Sequence, residues 1–343
     1  MAGKFSANVM AFPSPSHGLI AIGGFPRNRS TLVGWFDRST DAGRRWTVGR
    51  HSSGATKAAT QIGMTFSSAQ QGWAYQPDLL FTTDGGMTWH ADPSEPALIG
   101  PVSTVGSSTW VTGYRCPRGD CPARLYRTGR VGGRLTLLPN QPPGGDAVEQ
   151  MLRPDARTAW LLLGGRRGHQ RLATTSDGGS TWSIRPLPCT SGASLSAAGR
   201  GPLWLLCPRM TRTCSLRDQF NVIYQSNDNG ATWTRTSTKR IRCAPPMTLY
   251  AVSGSIAWAS ETTIGSGSLL RTTDAGRTWH AVLTGTDDKP LTPEAITTAG
   301  TDRLAFVQWQ FTDRGVTFTL ERTVDAGRTW RSSPLPVPAG LAG

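Results

Sequence analysis

A carboxylate does acid–base chemistry when a second titratable group faces it, and metal chemistry when His, Cys or further acids share its spacing. Neither setting surrounds the six aspartates that recur most regularly in this chain, Asp41, Asp84, Asp177, Asp228, Asp274 and Asp325. They stand in the octets STDAGRRW (39–46), TTDGGMTW (82–89), TSDGGSTW (175–182), SNDNGATW (226–233), TTDAGRTW (272–279) and TVDAGRTW (323–330), each reading Ser/Thr-x-Asp-x-Gly-x-x-Trp. A carboxylate so placed accepts hydrogen bonds from the N–H groups of its own turn, while the glycine takes the positive φ that closes it and the hydroxyls add local bonds. The residue types point to six tight hairpins in which Asp shapes the turn and does not react.

The six cysteines are the next reactive set. Cys116-Pro-Arg-Gly-Asp-Cys121 has the spacing and turn composition of a small disulfide loop, whereas Cys189, Cys207, Cys214 and Cys243 allow three connectivities that the sequence does not rank. The close pairs lack CxxC spacing and neighbouring His, which argues against zinc, and no cofactor is expected. Disulfides place the chain in an oxidising compartment, secreted or extracytoplasmic. The Met-Ala-Gly-Lys start has no signal-peptide core, so a leader is expected to have been removed ahead of it, and no apolar stretch approaches the roughly 18 residues of a membrane span. With 36 Lys and Arg against 22 Asp and Glu, the formal charge is +14 and comes almost wholly from Arg, since Lys occurs only at 4, 57, 239 and 289. Such a surface attracts polyanions, and the cysteines weigh against nucleic acid.

The elements that must position these residues follow from the octet spacing. Successive octet aspartates are 43, 93, 51, 46 and 51 residues apart, so one interval is double and hides a worn copy, found at Tyr126–Gly133 without the Asp or the Trp. A second series, Trp73, Trp110, Trp160, Trp204, Trp258 and Trp309, sits in apolar strands upstream of the octets, with Ile20 and Ile22 in its place in the first repeat. Twelve of the thirteen tryptophans fall in the two series, and only Trp35 lies outside them. Periods of 40 to 50 residues with an aromatic signature mark propeller blades. The expected fold is all-β, one seven-bladed propeller domain over 1–343 with four-stranded antiparallel blades near 1–54, 55–96, 97–142, 143–187, 188–241, 242–289 and 290–343, and a monomer.

The octet resembles the Asp box of the sialidase superfamily and related BNR-repeat propellers, among them sortilin-type, xyloglucanase-type and photosystem-assembly-factor-type domains. The resemblance implies strands A to D from the central channel outward, with the octet as the C–D turn and the B–C and D–A loops on the opposite face, where propeller ligands bind. Those B–C loops carry Arg27, Arg29, Arg115, Arg118, Arg124, Arg166, Arg167, Arg171, Arg209, Arg212 and Arg217, with Asp120 and Asp218 the only acids among them. Guanidinium groups so gathered suit bidentate capture of carboxylate, sulfate or phosphate. The resemblance also implies what an enzyme would need: three arginines on the substrate carboxylate, a Tyr nucleophile paired with Glu, and an Asp acid/base. Tyr250 and Glu261 are the candidates for the pair, no Arg-Ile-Pro opens the chain, and the D–A acids Asp92, Glu95, Asp146, Asp287, Asp288 and Glu294 form no evident pair. The balance favours a non-catalytic module that binds an anionic glycan, a cell-envelope polymer or an acidic protein. The second expectation is an exo-acting glycoside hydrolase of the sialidase superfamily.

Overall fold

The computed structural model of the chain describes all residues except 1–3, 15, 26–32, 49–62, 76–77, 94–95, 97, 116–121, 165–168, 190–191, 210–219, 237–240, 243–247, 263–266, 287–290, 313–314 and 338–343. Among the described residues every regular element is a strand, and the strands form seven antiparallel sheets. The innermost strands, A, are Lys4–Ala11, Gly63–Phe66, Leu98–Val105, Ala147–Leu152, Ser194–Ala197, Leu249–Ala251 and Glu294–Thr298. Strands B, C and D follow in order in each blade, and blade 5 adds Ile241–Arg242 beside its strand C. The chain is a seven-bladed β-propeller.

Each blade is covered on both faces by its neighbours, so strand B reads as a nearly continuous apolar run, AWLLLG in blade 4 and LWLLCPR in blade 5. The buried apolar side chains gather in seven clusters, one per seam between successive blades. The tryptophan near the start of strand B packs forward onto the next blade, and the octet tryptophan packs back onto the preceding one. The two meet as Trp110–Trp182 with ring centroids 6.1 Å apart and as Trp204–Trp279 at 6.4 Å. Truncating one such buried ring to Ala costs about 3–5 kcal/mol.

Register corrects the upstream series at both ends of the ring. Trp73, Trp110, Trp160, Trp204 and Trp258 each pair with the residue just before the Ser or Thr of the octet or its worn copy. In blade 7 that register position belongs to Ala305, paired with Arg322, and Trp309 lies four residues further along a long strand. In blade 1 it belongs to Leu19, paired with Arg38, and not to Ile20 or Ile22. The small Ala305 leaves the closing seam between blades 7 and 1 short of a ring. Trp35 supplies one, packing edge-on to Phe318 at 6.3 Å in the cluster that also holds Trp46 and Ala305, which gives the thirteenth tryptophan its place. Among the described residues every blade owns its four strands, and this packing joins blade 7 to blade 1 without a shared strand.

The octets are C–D turns. In all six the Ser or Thr hydroxyl donates to Asp Oδ1 at 2.7–2.9 Å and accepts the octet glycine's N–H at 2.7–3.0 Å. The N–H four residues after the Asp donates to Oδ1 at 2.8–3.0 Å. In five octets a Thr hydroxyl donates to Oδ2, and in the first Arg45 stands where that Thr would be. The octet glycine needs its hydrogen as well as its φ: a Cβ on Gly86 would lie 2.1 Å from Leu19 of the preceding blade. The worn turn is in register as Thr128–Leu135, two residues on from Tyr126–Gly133. Arg130 stands at the Asp position with its carbonyl accepting from Thr128 Oγ1 at 3.0 Å, Gly132 keeps φ 66°, and Leu135 fills the tryptophan's place in the seam.

Part of the arginine excess is spent holding the ring. The residue before the octet reaches across to a turn of the next blade: Arg38 Nε donates to Gly85 O at 3.1 Å, Arg271 Nη2 to Thr301 O at 3.2 Å, Gln225 Nε2 to Gly254 O at 2.8 Å, and Arg322 Nη1 to Ala42 O. Arg153, buried in the A–B turn of blade 4, lies over the Trp110 ring at 4.1 Å and donates to Ser103 O and Ser108 O.

Candidate functional site

In an A–B–C–D meander the A–B and C–D turns share one face and the B–C and D–A connections the other. Four of the expected arginines are described, and their backbone positions fall on the second face. Arg115 directly follows strand B of blade 3 (Ser108–Tyr114) and Arg124 begins its strand C (Arg124–Thr128). Arg171 begins strand C of blade 4 (Arg171–Thr175), and Arg209 ends strand B of blade 5 (Leu203–Arg209). These four stand at the stems of B–C loops. Arg27, Arg29, Arg118, Arg166, Arg167, Arg212 and Arg217 lie outside the described residues, as do Cys116 and Cys121.

The described arginines are not equivalent. Arg115 and Arg124 are exposed, and Arg115 Nε donates to the Tyr126 hydroxyl at 3.3 Å. Arg171 instead pairs through Nη2 with Asp146 at the foot of the D–A crossing into blade 4, so its charge is compensated by a neighbouring carboxylate although its side chain is part-exposed. The adjacent Gln170 does the same for a second acid: its Nε2 donates to Glu149, and its Oε1 accepts the Ala193 N–H at 2.7 Å. Glu149 is the extra residue of a bulge in strand A of blade 4, where register shifts between Val148 and Gln150. Tyr114 completes the group, its hydroxyl accepting the Val148 N–H at 3.2 Å. Burial pushes the Tyr114 phenol up and the charge of Glu149 adds to the rise, while the Val148 hydrogen bond opposes it. The phenol is therefore neutral and fixed.

Gln150 ties the same edge to blade 5, with Oε1 accepting from Leu195 N at 2.8 Å and Nε2 donating to Leu195 O at 2.7 Å. A disulfide between Cys189 and Cys207, Cα atoms 5.5 Å apart, pins the crossing from blade 4 onto strand B of blade 5. It selects one of the three connectivities open in the sequence; Cys214 and Cys243 lie outside the described residues. The result is a braced polar rim over blades 3 to 5, with exposed guanidinium groups at its blade 3 edge.

Tyr250 and Glu261 stand at positions of opposite parity on strands A and B of blade 6. Tyr250 pairs with Trp258 in register and packs with it in the seam between blades 6 and 7, and burial raises its phenol. Glu261, three residues beyond Trp258, holds a position of the other parity in that strand. Among the described residues no group of three or more His, Cys, Asp or Glu could hold a metal. Sequence reasoning passed over Tyr114, Glu149 and Gln170; the legible signal was the pair Glu149-Gln150 inside the otherwise apolar inner strand AVEQML.

Comparisons with known proteins agree with this architecture. The BNR/Asp-box repeat family matches residues 80–91, the octet of blade 2 and its flanks. The chain is thus an Asp-box β-propeller. Among solved structures it is similar to one described as YCF48 bound to D1 peptide, at TM-score 0.63 and 18% identity over 94% of this chain and 97% of that one. It is also similar to YCF48 from Cyanidioschyzon merolae, at TM-score 0.56 and 16% identity over 79% and 84%. At these identities the likeness is one of fold. No curated protein matches the chain in sequence.

Proposed function

We propose that this propeller is a non-catalytic docking module that binds an acidic segment of a partner protein on the B–C and D–A face, outside the cytoplasm. The observation that carries this reading is the unequal state of the arginines. Arg171 is committed to Asp146, whereas Arg115 and Arg124 are exposed at the stem of a loop that adds Arg118, next to loops that add Arg166, Arg167, Arg212 and Arg217. Exposed guanidinium groups on a braced rim offer bidentate bonds to carboxylates with little reorganisation. The fold likeness to a propeller solved with a peptide supports a peptide ligand, and the Cys189–Cys207 disulfide supports the compartment. The same chemistry reads the carboxylate and sulfate groups of an anionic glycan or envelope polymer, which is the second reading.

Fluorescence anisotropy with a labelled Glu-rich peptide tests it. Arg115→Ser/Arg124→Ser/Arg166→Ser/Arg167→Ser should weaken binding about tenfold, roughly 1.4 kcal/mol, and added salt should weaken the parent protein's binding in the same direction. Unchanged affinity in the variant would refute the assignment of the face. Heparin bound far more tightly than the peptide, and lost in the same variant, would move the partner to the glycan class.

A further inference from the structure

The six intact octets also differ at one backbone bond. In blades 1, 2, 4, 6 and 7 the N–H of the fourth octet residue donates to the A–B turn of its own blade: Ala42 to Ser16 O at 2.9 Å, Gly85 to Gln70 O at 2.8 Å, Gly178 to Arg157 O at 2.8 Å, Ala275 to Ser255 O at 2.9 Å and Ala326 to Asp302 O at 2.9 Å. The acceptor is always the residue two before strand B begins. In blade 5 the matching pair is Asn229 and Gly201, and no bond joins them. A cavity of about 150 Å³ stands there instead, lined by Arg200, Gly201, Pro202, Asn227 and Asn229 among others. A single water needs roughly 10–15 Å³ of such space, so this is more than the notch of one bridging water.

The backbone of Asn229 matches its counterparts in the sister blades. Asn229 has φ 57°, in the same left-handed region as Ala42 at 62° and Ala275 at 64°, whose N–H groups aim at the A–B turn. Asn229 and Gly201 both line the cavity, so the backbone groups that pair in the sister blades stand at its wall without bonding each other. The exposed amides of Asn227 and Asn229 add a donor and an acceptor each. The charged groups at the site already have partners: Arg200 Nε is bound to Asp155 Oδ2 at 2.5 Å, and the Asp228 carboxylate accepts from Ser226 and Thr232 inside the octet.

We propose that this cavity is a second binding site, for one ring of a neutral sugar, on the face opposite the arginine loops. Backbone and amide donors and acceptors beside charges that already have partners suit hydroxyl groups, which donate and accept at once, and Pro202 offers an apolar wall to a ring's C–H face. An oxyanion would gain from Arg200 and lose to Asp155 and Asp228.

The test is saturation-transfer NMR on the whole chain with methyl glucoside, methyl galactoside, methyl mannoside and N-acetylglucosamine, with sodium sulfate as competitor. The comparison protein is Asn227→Thr/Asn229→Ala, which gives blade 5 the residues of blade 6, Thr273 and Ala275, at the same octet positions and so keeps the turn. At least one sugar should bind the parent chain with millimolar affinity and bind the variant at least about fivefold more weakly, with the variant still folding cooperatively and its thermal midpoint lowered by no more than a few degrees. The proposal is overturned if no sugar in the panel binds, if binding survives in the variant, or if sulfate binds in preference to every sugar.

Discussion

Each octet carboxylate is satisfied within its own turn, whereas on the opposite face charged and amide groups are satisfied between strands, Arg171 by Asp146 and Gln170 by Glu149 within blade 4, and Gln170 by Ala193 and Gln150 by Leu195 across to blade 5. The difference explains how each face tolerates change. A turn that closes on itself can be lost singly, and blade 3 shows this: Arg130 replaces the aspartate while Gly132 and Leu135 preserve the hairpin and its seam. A rim held by cross-blade bonds has no such repeat, and its loops are free to carry different residues in every blade.

The largest expected effect comes from the exception to local satisfaction. Asp37, in strand C of blade 1, is fully buried at a register position filled by Leu80 in blade 2 and Leu270 in blade 6. Burial raises its carboxyl to about 8, with a hydrogen bond from Trp35 offsetting part of the rise. The unfolded chain loses this proton near 3.8 and the folded chain keeps it, so stability falls as pH rises from about 4 to about 8 and is level above. Asp37→Asn should remove that slope and stabilise the protein at pH 7 by on the order of 4 kcal/mol, read by urea denaturation across pH. The octet aspartates have the opposite sign. Their carboxyls are lowered by turn hydrogen bonds, to about 2 at Asp274 and Asp325, so their contribution is present above pH 4 and is lost as pH falls toward 2.

On the loop side, removing the Cys189–Cys207 disulfide as the double Ala variant should cost about 3 kcal/mol for a closed loop of this length, seen as a lower denaturation midpoint, with peptide binding at blade 3 retained. Arg130→Asp should give blade 3 a complete carboxylate turn and raise the thermal midpoint by about 1–2 °C. The smallest effect is expected where alanine sits at positive φ. Ala275→Gly and Ala326→Gly relieve about 1–2 kcal/mol of left-handed strain but loosen the unfolded chain by about 0.4–1 kcal/mol, for a net gain near 0.5 kcal/mol each by differential scanning calorimetry.

The ring was legible because its signals are local and repeated. Ser/Thr-x-Asp-x-Gly-x-x-Trp is one turn, and its spacing alone called for a hidden blade. Register was less legible. Trp309 looked like a member of the upstream series, and only strand pairing shows that Ala305 holds the equivalent position and that Trp35 fills the space Ala305 leaves. The rim was least legible, since Arg171 reads as a free cation until Asp146, 25 residues away, is seen beside it. The blade 5 cavity has no sequence signal by itself, because it consists of a bond made in five blades and missing in one.

The division of labour between the faces is tested most directly by measuring acidic-peptide affinity and thermal midpoint together on two proteins, Arg115→Ser/Arg124→Ser on the loop face and Asp177→Ala/Asp228→Ala on the octet face. The loop-face variant should lose affinity several-fold with its midpoint unmoved, and the octet-face variant should lose several degrees while binding the peptide as the parent does. Affinity lost with the octet aspartates and retained without the two arginines would contradict the assignment of scaffold to one face and binding to the other.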